Sequence, residues 1–139
     1  MAAYLSSDDE LKTNIPWIDE LVDCAHGQTG FGPQRQQARD WLDGLIVHHA
    51  PQREKVRDDL AADRLMVSEE VKNCQRWYVI HLISRAQFRQ PGDKYDVLAA
   101  YAKQEAEQAA NTLLAEFDTD DDGEVNYAVD LVSARVWRG

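Results

Sequence analysis

Apolar positions in this chain recur at helical spacing over most of its length, and the longest such run covers residues 68–117. Val71, Cys74, Tyr78 and Leu82 follow one another by three or four positions, and Val79, Ile83 and Ala86 widen the stripe. Ser68 stands where an N-cap belongs, with Glu69 and Glu70 placed where acidic side chains favour a helix N-terminus. Gln90-Pro91-Gly92 stops this helix, because proline cannot continue it and glycine turns freely. Asp93 caps the next one. Leu98, Ala102, Ala106, Ala109, Leu113 and Phe117 then mark one face, extended by Ala99, Ala110 and Leu114. The small alanines let the two helices approach closely, and the short turn predicts an antiparallel helical hairpin. The pattern carries the second helix to Phe117, where Asp118-Thr119-Asp120-Asp121-Asp122-Gly123 ends it.

The rest of the chain is organised around that hairpin. Residues 1–4 read as a loose start. Ser6 or Ser7 opens a capping signal with Asp8, Asp9 and Glu10 behind it, and the short helix that follows is interrupted at Asn14-Ile15-Pro16. Pro16 suits a restart, for which Trp17, Ile18, Leu21 and Val22 supply an apolar face. Residues 26–33 hold Gly27, Gly30, Gly32 and Pro33 and read as a loop. Residues 34–49 form the next expected helix, with Ala38, Trp41, Leu42, Leu45 and Ile46 on one side and Arg35, Arg39 and Asp40 mostly on the other. Ala50-Pro51 breaks it. Residues 53–65 read as a polar surface helix, or a helix and loop, whose apolar points are Val56, Leu60 and Leu65.

The last stretch, 124–139, supports two readings. Val125, Tyr127, Val129 and Leu131 alternate as in a strand, whereas Val125, Val129, Val132 and Val136 keep helical spacing. Its valine content tilts the reading to an extended arm, for which no partner strand is evident within the chain. An arm of that kind is suited to binding another subunit. The expected organisation is therefore a mainly α small helical bundle at 1–123 around the long hairpin, with an extended C-terminal arm at 124–139.

With 139 residues the chain is of single-domain size, long enough to bury a core without metals or disulfides. Its formal net charge of −10 argues against a free-standing DNA binder, which needs a basic face to neutralise phosphates. It leaves room for a protein that lets DNA pass without holding it. Cys24 and Cys74 read as reduced, buried thiols. The N-terminus has no basic region followed by an apolar run, so no signal peptide is expected, and no apolar stretch is long enough to span a membrane.

Candidate chemistry is sparse. Asp118, Asp120 and Asp122 occupy the first, third and fifth places of a calcium loop, Gly123 the sixth, Val125 the eighth and Asn126 the ninth. The twelfth place, which should carry a bidentate Glu, holds Val129, and Asp130 comes one residue late. The alternatives are a weak calcium site and a solvated Asp/Gly turn. His26, His48, His49 and His81 show no series of zinc spacing. There is no Gly-x-Ser-x-Gly elbow, no reactive-cysteine context and no phosphate-cradling loop, which points away from an enzyme. Arg35, Arg39, Arg53, Arg57, Arg64, Arg76, Arg85 and Arg89 read as solvated helix faces. Arg135-Val136-Trp137-Arg138-Gly139 differs, since an aromatic between two arginines has the composition of an interface anchor.

This order of features resembles the small head–tail connector proteins of tailed bacteriophages, also called adaptor or head-completion proteins. The resemblance rests on Tyr4-Leu5-Ser6-Ser7-Asp8-Asp9-Glu10-Leu11, on Ala38-Arg39-Asp40-Trp41-Leu42-Asp43, on residues 118–126, and on Ser133-Ala134-Arg135-Val136-Trp137-Arg138-Gly139. It covers most of the chain as a pattern, without a diagnostic motif. It implies a mostly helical, non-catalytic virion protein that needs no cofactor. Such a protein is assembled in the host cytoplasm and located at the head–tail joint. Its subunits form a ring beneath the portal, extend the DNA channel and dock the next tail or head-completion protein. Partners would be the portal and neighbouring copies, with DNA passing through unbound and no membrane involved. The partner interface would fall on the arm, at Val125, Tyr127, Arg135, Val136, Trp137, Arg138 and Gly139, with Trp137 as anchor. The loop at 26–33 and the acidic turn at 118–122 would be candidates for neighbour contacts. Two other readings are a calcium-responsive helical binding module, which requires a helix after Gly123, and a small inhibitor of a host protein.

Overall fold

The computed structural model describes residues 3–16, 31–87, 90–120 and 122–131. It is mainly helical. A 3-10 helix (Asp8–Thr13) precedes α1 (Gly32–His49), α2 (Arg53–Ala61), α3 (Glu69–Gln87) and α4 (Lys94–Asn111), and two short strands follow, β1 (Leu114–Phe117) and β2 (Tyr127–Asp130). The restart expected from Trp17 onward and residues 26–30 of the glycine loop lie outside the described residues, while Gly32 and Pro33, read as the end of that loop, instead begin α1, where proline suits the first turn.

The hairpin forms as its pattern predicts. Ser68 Oγ accepts the Val71 N–H at the start of α3, and Asp93 Oδ1 accepts the N–H groups of Tyr95 and Asp96 at the start of α4. Gly92 makes the turn between them at φ 83°, a left-handed backbone that glycine adopts without steric cost. Ala99, Ala102, Ala106 and Ala110 form the buried stripe of α4. Without longer side chains in the way, α3 approaches its backbone: Cys74 Sγ lies 3.5 Å from the Ala106 carbonyl, and His81 Nδ1 lies 3.0 Å from that of Ala99. As position advances from Cys74 to His81 on α3, its partner on α4 retreats from Ala106 to Ala99, so the helices are antiparallel.

Helix α1 lies on α3. Ala38, Leu42 and Ile46 are buried, Gln75 Nε2 donates to the Ala38 carbonyl at 2.8 Å, and Trp41 stacks on Tyr78 with ring centroids 4.1 Å apart. Val56 and Leu60 seat α2 on the same core. A second cluster joins Leu5, Leu11, Ile15 and Phe31 to Val79, Ile80, Ile83 and Ala102. Among the described residues no helix is long and apolar enough to cross a membrane.

Several sequence expectations are corrected. Tyr4 is not part of a loose start: it is buried, as is Leu5, and its hydroxyl donates to Asp43. Ala86 is exposed rather than part of the apolar stripe. The second hairpin helix ends at Asn111, not Phe117, with Thr112 Oγ1 donating to the Gln108 and Ala109 carbonyls. Leu113, Ala115 and Phe117 are buried at the period of two that marks a strand. The helical spacing of Ala109, Leu113 and Phe117 coincides with that alternation over its last step. Strand prevails because a partner is present: Leu114 pairs with Asp130, Ala115 with Val129, Glu116 with Ala128, and Phe117 with Tyr127. Residues 127–130 of the expected arm thus do have a partner strand within the chain, and Val129 and Leu131 belong to the hydrophobic core.

Candidate interaction surface

Strand β1 is the middle of three extended segments. On the side away from β2, the Met66 N–H donates to the Glu116 carbonyl at 2.9 Å and the Asp118 N–H to the Arg64 carbonyl at 3.0 Å, and Leu65 bridges to Phe117. Leu65, Ala115, Phe117, Val129 and Leu131 face the core. By the period-two alternation of side chains, Met66, Leu114, Glu116, Ala128 and Asp130 lie on the outer face. Leu114 is 49% exposed and Met66 37%, with Val67 beside them at 41%, so this small face combines apolar and acidic groups. A cavity of about 290 Å³ opens next to it, lined by Glu70 from the first turn of α3, by Ala109 and Thr112 at the end of α4, and by Leu113, Leu114 and Glu116.

The acidic turn joins the two strands; it does not end a helix. The side chains of Asp118, Thr119, Asp120, Asp122 and Asn126 are engaged in shaping the loop. Asp118 accepts the N–H groups of Asp122 and Gly123 at 3.2 and 2.7 Å, and Asp122 Oδ1 accepts that of Glu124 at 2.9 Å. Asn126 Oδ1 accepts the N–H and hydroxyl of Thr119 and the Asp120 N–H, while its amide donates to Asp120 Oδ2 at 3.2 Å. Gly123 closes the turn at φ 85°. Asp118, Asp120 and Asp122 were the expected calcium ligands. Among the described residues, no group of three or more His, Cys, Asp and Glu side chains converges as a metal site. The chain after Gly123 enters a strand, where the calcium-module reading required a helix.

The expected interface residues divide. Val125 is exposed. Tyr127 is half-buried and engaged within the chain: its ring stacks on Phe117 at 4.7 Å, its hydroxyl donates to Asp59 Oδ2, and Lys55 Nζ sits 4.5 Å from its ring centroid. Burial and the Asp59 carboxylate together hold the phenol well above its ordinary range. Arg135, Val136, Trp137, Arg138 and Gly139 lie outside the described residues. The described part of the arm ends at Leu131, whose N–H donates to the Leu113 carbonyl at 3.1 Å, so the C-terminal segment departs beside the cavity that Leu113 lines.

Buried polar groups went unforeseen. Arg39 and Arg76, expected on solvated faces, are 1% and 5% exposed. Arg39 Nε donates to Asp43 Oδ2 at 3.2 Å, one Nη to Asp63 Oδ1 at 2.6 Å and the other to the Leu60 carbonyl at 2.7 Å, and its guanidinium covers the Tyr4 ring. It ties the N-terminal segment, α1 and the end of α2 together. Burial pushes the Asp43 carboxyl above its ordinary value in spite of these donors. Arg76 reaches Asn14 Oδ1 and Glu69. Arg35 donates to the Leu5 carbonyl and pairs with Asp8 at 3.1 Å. The available signal was position: Arg39 lies between buried Ala38 and Leu42, one turn before Asp43. These arginines are thus engaged in joining elements of the fold.

No protein-family model, curated protein or solved structure matches this chain.

Proposed function

We propose that the chain is an assembly subunit of a tailed-phage particle, a head–tail connector that forms a ring beneath the portal, extends the DNA channel and docks the tail. One observation carries the reading. The segment that carries Arg135-Val136-Trp137-Arg138 follows directly on Leu131, which is locked into the core just after β2. A rigid root and an aromatic, basic tip suit a docking arm: ordering cost is confined to a few residues, and Trp and Arg are the residue types that dominate interface energies. The net charge of −10 supports a channel wall that repels DNA and lets it slide. Particle location at the head–tail joint, after assembly in the host cytoplasm, goes with the same reading.

The fold also dictates where the test must cut. Removing 124–139 would take Val129 and Leu131 out of the core, so loss of docking by that truncation would report unfolding. A chain ending at Leu131 keeps the sheet. Mixed with the portal protein and weighed by light scattering, the full chain is expected to enter a large symmetric complex. The chain ending at Leu131 is expected to stay folded and remain outside it. A folded truncation that still joins the portal would overturn the assignment of the arm, and a full chain indifferent to the portal would overturn the connector reading.

A further inference from the structure

The cavity beside β1 has the chemistry to receive the C-terminal segment of a second copy of the chain. Its lining is mainly polar, from Ser68, Thr112 and the carboxylates of Glu70 and Glu116, with a smaller apolar part from Ala109, Leu113 and Leu114. At about 290 Å³ it has room for an indole, since a cavity of roughly 150 Å³ already admits benzene. Residues 132–139 carry Trp137 between Arg135 and Arg138, and no acidic side chain. The match is first of charge, a guanidinium on either side of the ring for the two carboxylates, and then of size, with the ring set against the smaller apolar part.

The length of the segment allows it to bypass the chain's own cavity. The segment starts at Leu131, held against Leu113 on the cavity wall. Residues 132–136 read Val-Ser-Ala-Arg-Val, with no glycine, proline, asparagine or aspartate to reverse the chain and two β-branched residues that favour extension. Fully extended, six residues span roughly 20 Å, a length sufficient to carry Trp137 past the chain's own cavity to that of a neighbour. We infer that Trp137 and its flanking arginines dock into the Glu70–Glu116 cavity of an adjacent copy, a head-to-tail contact. A contact of this type closes a ring or propagates a chain of subunits according to the rotation it imposes. This deepens the assembly reading by naming the surface that receives the arm, but it stands or falls separately.

The test is sedimentation velocity on the full-length protein over a concentration series, with three variants: Glu70→Lys/Glu116→Lys, Arg135→Glu/Arg138→Glu, and Trp137→Ala. Both glutamates lie at the surface, and far-UV circular dichroism checks that each variant is folded. Should the lysine pair disturb the start of α3, Glu70→Gln/Glu116→Gln replaces it. Wild type is expected to self-associate, and each variant to do so at least roughly tenfold more weakly. An equimolar mixture of the two charge-reversed variants is expected to regain association, because each tail then faces a cavity of opposite sign. A wild type monomeric at every concentration, an association untouched by the variants, or folded variants whose mixture stays monomeric would each overturn the inference. A chain that is monomeric alone yet joins the portal would overturn it while leaving the connector reading intact. Self-association through the cavity with indifference to the portal would do the reverse.

Discussion

Replacing Arg39 by alanine is the most informative single perturbation of this fold. The side chain is 1% exposed, and its donors reach Asp43, Asp63 and the Leu60 carbonyl. Alanine removes all of these and leaves the Asp43 carboxylate, 15% exposed, and the Leu60 carbonyl without their donor. Orphaning one partner of a buried charge pair costs about 3–5 kcal/mol. Two features lower the figure. Asp63 is 58% exposed, so its part of the network is worth about 1 kcal/mol or less, and Asp43 keeps the Tyr4 hydroxyl. The expected loss is about 3 kcal/mol, a large fraction of the roughly 5–15 kcal/mol of a typical domain. For a chain of this size that lowers Tm by roughly 10 °C. Urea unfolding followed by circular dichroism measures it, with m unchanged if only stability is altered. Asp63→Asn is the control. It removes a mostly exposed charge while keeping a residue type that tolerates the φ of 57° at that position, so it should cost under about 1 kcal/mol. An Arg39→Ala loss below about 1 kcal/mol, or an Asp63→Asn loss as large as that of Arg39→Ala, would refute the reasoning.

Burial and the fixed contact with the Ala99 carbonyl bear on His81, whose pKa is lowered chiefly by desolvation. The unfolded chain therefore takes up a proton at His81 more readily than the native state, so its contribution is complete above about 6.5 and is lost as pH falls below that through the lowered native value. Stability measured from neutral to mildly acidic pH should fall more steeply for wild type than for His81→Gln; parallel profiles would count against it. The Cys74 thiol is pushed up to about 12 by burial, so a thiol reagent such as DTNB should label it only at the rate of unfolding. Rapid labelling of Cys74 in Cys24→Ser protein would contradict its placement. Gly123→Ala meets no atom within 4 Å, so its cost is that of the left-handed backbone alone, about 1–2 kcal/mol by urea unfolding. A neutral result would mean that the loop adopts another turn.

The legible parts of this fold were those governed by local signals. Ser68 and Asp93 cap where a short polar side chain precedes acidic or apolar periodic residues, and Pro91-Gly92 turns where helix continuation is impossible. The alanine stripe of α4 marked a close helix contact in advance. Residues 114–117 were misread because four residues cannot distinguish one helical turn from a strand when Leu113 and Phe117 satisfy both periods. Arg39 and Arg76 were misread for a different reason. Guanidinium groups favour water unless donors and acceptors converge on them, and convergence of Asp43, Asp63 and the Leu60 carbonyl spans more than twenty positions of sequence. The candidate surface was only half visible. The anchor composition of Arg135-Val136-Trp137-Arg138 and the acidic turn can be read directly, but the cavity cannot, since Glu70 and Glu116 meet only after α3, α4 and β1 have packed.

Amino-acid order alone determined the helical hairpin, its caps and turns, the break at Ala50-Pro51 and the acidic character of the chain, because each follows from interactions within a few residues or from a sum over all of them. Tertiary structure decided that the arm pairs with β1, that Tyr4 is held under Arg39, that Tyr127 serves the core, and that a cavity opens where the C-terminal segment departs. Each of these joins residues distant in sequence, and a contact of that kind becomes favourable only when the surrounding elements have already met the entropy cost of bringing its partners together.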